Sequence, residues 1–183
     1  VDEKERYGIG RRAINDLDVA QAAAVYDIFS TTLDGRLRAQ LLRNLVERVS
    51  ELDASMAIQL VDKADAGKNR EALVGALVEH CAPSALASVL SWAHSNGFRE
   101  DYSRACTELS FRARSLGKAE LLSLARQGNV GSGVAGIAGR ALGERIGEEW
   151  PGLKGTNAVE RLGNAAARIP DAGRASYLQS AVA

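Results

Sequence analysis

Apolar and polar positions along the chain follow a helical beat that is interrupted at regular places. Gly35, Gly67, Gly97, Gly128 and Gly131 separate apolar-periodic segments, with weaker breaks at Asp53, Pro83, Gly117, Pro151 and Pro170 roughly halfway between them. Positions 41, 42, 45, 46 and 49 are spaced i, i+1, i+4, i+5, i+8, one stripe of a 3.6-residue helix. That stripe returns at a fixed interval. Leu41-Leu42-x-x-Leu45-Val46 is followed 32 positions later by Leu73-Val74-x-x-Leu77-Val78, then by Ala105-Cys106-x-x-Leu109 and by Ile137-Ala138-x-x-Ala141-Leu142. The register survives the intervening break, since Ile58-x-Leu60-Val61 maps onto Leu90-x-Trp92-Ala93 and Leu122-x-Leu124-Ala125 without an insertion. Ungapped agreement in both halves of three successive units is hard to obtain by chance, and it predicts helical hairpins over 35–66, 67–98 and 99–130. A fourth, degenerate unit begins at 131 and loses register at Trp150-Pro151-Gly152.

One hairpin cannot cover its own apolar stripe, so the pattern predicts neighbours stacked into a quasi-linear array. Asp18 to Leu33, with Val25, Ile28 and Phe29 on one face and Asp18 as N-cap, predicts a capping helix within an N-terminal cap over 1–34. Thr156 to Arg168 and Asp171 to Val182 are expected to close the other end, with Thr156 and Asp171 as N-caps and Pro170 stopping the helix before it. The expectation is therefore a single all-α domain over 1–183, a right-handed α-α superhelix (solenoid) of about nine or ten helices. The chain resembles the general class of α-helical hairpin repeats that includes tetratricopeptide and HEAT-type arrays, over about Gly35 to Leu142. The resemblance is architectural. The period is 32 instead of about 34, and the ankyrin Thr-Pro-Leu-His tetrapeptide is absent, so no family site residue carries over.

Composition explains why such a chain can be helical throughout. Apolar residues make up 46% of the 183 positions but aromatics only 5%; 31 Ala and 21 Leu supply small aliphatic helix formers, and only three Pro interrupt. Strand-rich folds have little support. The 23 basic and 23 acidic side chains balance, which weighs against a dedicated nucleic-acid binder, because such domains need excess cations to displace counterions from phosphates. Eighteen of the cations are Arg, suited to bidentate contacts with carboxylate or phosphate. Two cysteines are too few for a disulfide framework, so buried free thiols are expected. The opening Val-Asp-Glu-Lys-Glu-Arg has neither an initiator Met nor an apolar signal region, the pattern of a processed product or excised piece, with a cytoplasmic location favoured. The longest uncharged stretch near the C-terminus, Gly128 to Gly139, is too short to span a bilayer.

Candidate chemistry is sparse. His80 and His94 are the only histidines; His80 and Cys81 diverge by about 100° on a helix and cannot easily chelate one ion, while Cys81 aligns with Val49 and Cys106 with Leu42 and Val74, which marks both as core. No metal and no cofactor is expected. Gly131-Ser132-Gly133 has no preceding strand and is no nucleophile elbow, and Glu144, Glu148 and Glu149 sit among Arg140 and Arg145 as an ion-paired face, so no catalytic residue is assigned. The glycine-rich run from Gly128 lacks the lysine of a phosphate loop. Gly136, Gly139, Gly143 and Gly147 instead share one arc of a helix, which favours close approach of another helix of this chain over a partner helix or a membrane-active amphipathic role.

Equivalent positions in stacked units form surface rows. Arg38, Arg70 and Tyr102 make one, Arg36 and Lys68 a second, and Arg48, His80 and Arg112 a third, with Glu47 and Glu79 beside the third to neutralise part of it. Rows of donors can read anionic groups. The expected role is a non-catalytic scaffold for a protein or peptide, part of a longer chain. A HEAT-like nucleic-acid binder using the Arg rows is the rival, and an enzyme with a groove active site is a third alternative.

Overall fold

A computed structural model describes residues 2–33, 35–149, 163–164, 166–169 and 171–182. Among the described residues all regular structure is helical, with no strand: ten α-helices and two short 3-10 turns. They are α1 (Glu3–Asn15), α2 (Ala22–Thr32), α3 (Gly35–Leu52), α4 (Ala54–Asp62), α5 (Lys68–His80), α6 (Pro83–Ser95), α7 (Arg99–Arg112), α8 (Lys118–Arg126), α9 (Gly131–Glu149) and α10 (Asp171–Val182). The predicted break at Trp150-Pro151-Gly152, the Thr156 cap and Pro170 lie outside the described residues.

Local chemistry sets the helix ends. Asp2 accepts from the Glu5 N–H at 2.7 Å, and Asp53 accepts from Ser55 and Met56 at 2.9 and 3.0 Å, so short carboxylates satisfy first-turn donors that no helix can satisfy itself. Asp18 accepts from Ala20 at 3.1 Å, but it caps a 3-10 turn, Val19–Gln21, and α2 starts only after it. Gly35, Gly67, Gly97 and Gly131 have φ of +53, +130, +84 and +82°, a region that costs other residues strain, and each stands at or just before the start of α3, α5, α7 or α9. Between α6 and α7 the turn is clasped by one side chain. The Asn96 amide donates to Asp101 Oδ2 at 2.8 Å while its carbonyl oxygen accepts from the Phe98 N–H at 2.9 Å, and Asp101 is only 1% exposed.

The helices gather into two compact units, Val1–Val89 and Leu90–Ala183. In the first, α3 is the hub, packed on α1, α2, α4 and α5. Its stripe Leu41, Leu42, Leu45, Val46 and Val49 is buried, as are Leu73, Val74, Leu77 and Val78 of α5. The buried face of α2 is Ala22, Tyr26 and Phe29; of the predicted face, Phe29 is buried, Val25 is half-buried and Ile28 is exposed. In the second unit α9 is the hub, packed on α7, α8 and α10. Leu45, Leu77 and Leu109, which the 32-residue register equates, all have no exposed surface.

The small-residue arc of α9 meets α10 backbone to backbone. A Cβ on Gly139 would overlap the Gly173 carbonyl oxygen and lie 3.0 Å from its carbonyl carbon, and one on Gly143 would overlap the Tyr177 carbonyl oxygen and lie 3.0 Å from the Ala181 nitrogen. Gly173 returns the contact, its own Cβ position lying on the Ala135 carbonyl. Gly136 has room, with only Ser176 Oγ at 3.7 Å. No helix among the described residues is long and apolar enough to cross a membrane.

Candidate functional site

The six residues singled out from the sequence do not share one environment. Arg70, expected on an exposed row, is 2% exposed and faces inward: its Nη1 donates to the carbonyls of Val61 and Ala64 at 2.8 and 3.0 Å, and its Nη2 pairs with Asp62 at 3.2 Å. The guanidinium thus covers the C-terminal end of α4, where carbonyls lack helical partners and the helix dipole is negative. Arg38 is half-buried on α3, with a 3.5 Å contact from Nη1 to the Ser30 carbonyl. Arg112 is half-buried at the end of α7.

Tyr102 is also half-buried. Its ring stands edge-on to His94, with centroids 4.9 Å apart, and its buried hydroxyl lies at the start of α9. A Cβ on Gly133 would lie 3.0 Å from that hydroxyl and 3.2 Å from Cys106 Sγ, so glycine there is what lets the phenol and thiol pack against the helix end. Burial raises the pKa of both Tyr102 and Cys106 above their ordinary values, and it raises Tyr26 and Tyr177 likewise. Neither cysteine forms a disulfide; Cys81 is buried, whereas Cys106 is only half-buried.

A group whose pKa is higher in the folded state lends stability that is complete below the unfolded pKa and fades as pH climbs through the folded one. Stability is therefore expected to hold from neutral pH to about pH 8.5 and then fall, first as the Cys106 thiol and then as the three phenols ionise in the unfolded chain. Urea midpoints taken at intervals from neutral to strongly alkaline pH check this, with Cys106→Ser removing the earliest part of the decline; a flat profile would contradict it.

Arg48 and His80 come together. They line a cleft of about 500 Å³ with Tyr7, Arg11, Ile14 and Asn15 of α1 and Asn44, Glu47 and Glu51 of α3. Arg48 pairs with Glu51 at 3.2 Å, and His80 lies between two carboxylates, Nδ1 at 3.7 Å from Glu51 and Nε2 at 3.8 Å from Glu79. Arg43 holds Glu47 at 2.7 Å and Glu79 at 3.5 Å, and the Asn44 amide donates to the Tyr7 hydroxyl at 3.2 Å. Of the carboxylates expected to offset this row, Glu47 is thus held by Arg43, outside the row, and Glu79 lies between Arg43 and His80, while Arg48 takes Glu51. Sequence reasoning missed the α1 wall and Arg43. Tyr7, Gly10 and Ile14 at helical spacing, with Gly10 and Ile14 buried, were the available signal for α1; Arg43 stands four before Glu47, an ion-pair spacing.

Among the described residues no three His, Cys, Asp or Glu side chains converge to hold a metal ion. Comparison of the chain with protein families, with curated proteins and with solved structures gives no match.

Proposed function

We propose that this chain is a stacked helical-hairpin repeat of the α-α solenoid kind, acting as a non-catalytic binding module for a protein or peptide, with the cleft of α1, α3 and the end of α5 as its contact. The hairpin part rests on helix starts at 35, 68, 99 and 131 and on the equal burial of Leu45, Leu77 and Leu109. One observation carries the functional part: the cleft is open and lined by both signs of charge, Arg11 and Arg48 against Glu47 and Glu51, beside the Tyr7–Asn44 pair. A polypeptide offers both signs and backbone donors and acceptors, whereas a polyphosphate calls for a surplus of cations. Burial of Arg70 also takes the middle member out of one of the rows on which a nucleic-acid reading depends.

Selection from a random peptide display library on the intact chain tests this reading. Enriched peptides are expected to lose at least about tenfold in affinity for the Arg11→Glu, Arg48→Glu double variant, since truncating an interfacial hydrogen-bonded charge costs 1.4 kcal/mol or more. Failure to enrich any peptide, or enriched peptides that bind the double variant equally well, would overturn the proposal. Binding of duplex or single-stranded nucleic acid that weakens steeply with salt would favour the rival.

A further inference from the structure

A second cleft, of about 670 Å³, opens in the first unit over α2, α3, the turn after α4 and the start of α5. Its lining includes three nearly buried apolar side chains, Tyr26, Leu42 and Leu73, at 5, 9 and 3% exposure. Three cations from three different segments line it as well: Arg38 of α3, Lys63 from the turn, and Lys68, the first residue of α5.

Two carboxylates, Asp27 and Asp65, stand in the same lining, and their placement narrows what the cleft can take. Asp27 holds Lys63 Nζ at 2.7 and 3.0 Å, with the ammonium 5.7 Å from the centre of the Tyr26 ring, so that pair forms a neutral wall. Among the described residues Lys68 makes no ion pair, and Arg38 has only its 3.5 Å carbonyl contact, so both cations keep donors to give. With three cations against two carboxylates the lining carries one net positive charge, enough for one anionic group and too little for a polyanion. Gly67 adds to this. As N-cap of α5 it has no side chain to occupy the first-turn N–H groups, and Gly67, Lys68 and Asn69 all line the cleft.

We propose that this cleft binds a small organic oxyanion, a phosphate or carboxylate attached to an apolar body, with Arg38 and Lys68 holding the anionic group and Tyr26, Leu42 and Leu73 receiving the body. Neither feature suffices alone. The cations would take any anion weakly, while the apolar lining selects a molecule that brings a hydrocarbon or aromatic part with it. This site does not depend on the peptide-binding reading, since the two clefts have no lining residue in common.

Amide NMR of the whole chain, titrated with phenyl phosphate, benzoate and inorganic phosphate against sodium chloride at matched ionic strength, tests the proposal. Phenyl phosphate or benzoate is expected to shift the Gly67, Lys68 and Asn69 amides saturably, and whichever binds more tightly identifies the oxyanion. The better of the two should bind at least about tenfold more tightly than inorganic phosphate, the gain from covering about 55 Å² of apolar surface. An Arg38→Ala, Lys68→Ala variant, checked for an unchanged helical spectrum, should lose about tenfold or more. Shifts that match those of chloride, equal affinity for inorganic phosphate, or unchanged binding by the double variant would each overturn it.

Discussion

Gly139→Ala is expected to destabilise the protein by about 2 kcal/mol or more, although alanine is the better helix former by about 1 kcal/mol. The sign follows from what the added carbon meets. It would fall on the carbonyl oxygen of Gly173 and 3.0 Å from that residue's carbonyl carbon, and backbone cannot turn aside as a side-chain tip can. Relief requires α10 to move off α9, which also opens the contacts made by Gly143 and Gly173. Gly136→Ala on the same arc meets only Ser176 Oγ at 3.7 Å, and Gly8→Ala in α1 meets nothing within 4 Å. Both should be neutral or stabilising by up to about 1 kcal/mol, because only the propensity gain remains. Urea unfolding of the three variants separates steric from propensity effects. Equal midpoints for Gly139→Ala and wild type would mean that α10 does not rest on α9 in solution.

Arg70→Met should cost about 3 kcal/mol. Methionine preserves most of the buried apolar stem but removes every donor, leaving the Val61 and Ala64 carbonyls without the guanidinium and Asp62 without its cation. Charge-assisted hydrogen bonds contribute about 1.5–3 kcal/mol each, but Asp62 is half-exposed and water can replace its share, so the two carbonyls set the size of the effect. Arg70→Lys should recover only part, because one ammonium cannot reproduce the fork that reaches both carbonyls and the carboxylate. Urea midpoints rank the three proteins, and a Met variant within about 0.5 kcal/mol of wild type would show that the end of α4 does not need this cap.

Much of the helix plan was legible because glycines mark it. Gly35, Gly67, Gly97 and Gly131 take positive φ where the sequence placed breaks, and the buried stripes of α3 and α5 are those read from apolar spacing. Side-chain environment was harder to read. Arg38 and Arg70 are 32 positions apart, yet one lines an open cleft and the other is sealed inside. The difference lies in α5, where Val74 through Val78 are buried in unbroken succession, so that stretch offers no solvent face. A long side chain can bury its stem and bring its charge to a helix end, and residue type alone does not reveal that. On α2 the inward position belongs to Tyr26, whose ring the apolar pattern undercounted, while Ile28 turns outward. Neither cleft was visible in the sequence, since each draws on segments distant along the chain that only packing brings together.

The clasp at the turn before α7 also bears on how the protein ages. Asn96 is followed by Gly97, the dipeptide in which a backbone nitrogen most readily attacks the preceding side-chain amide, closing a succinimide with loss of ammonia. Here both ends of that amide are occupied, by Asp101 and by the Phe98 N–H, and the turn that would have to rearrange is the one the amide itself secures. Hydrolysis of the ring would set a new carboxylate against the 1% exposed carboxylate of Asp101, replacing a donor with a like charge. Covalent wear at this position is therefore expected to be tied to unfolding: the intact turn should slow it, and a chain that has suffered it would find the same turn harder to remake.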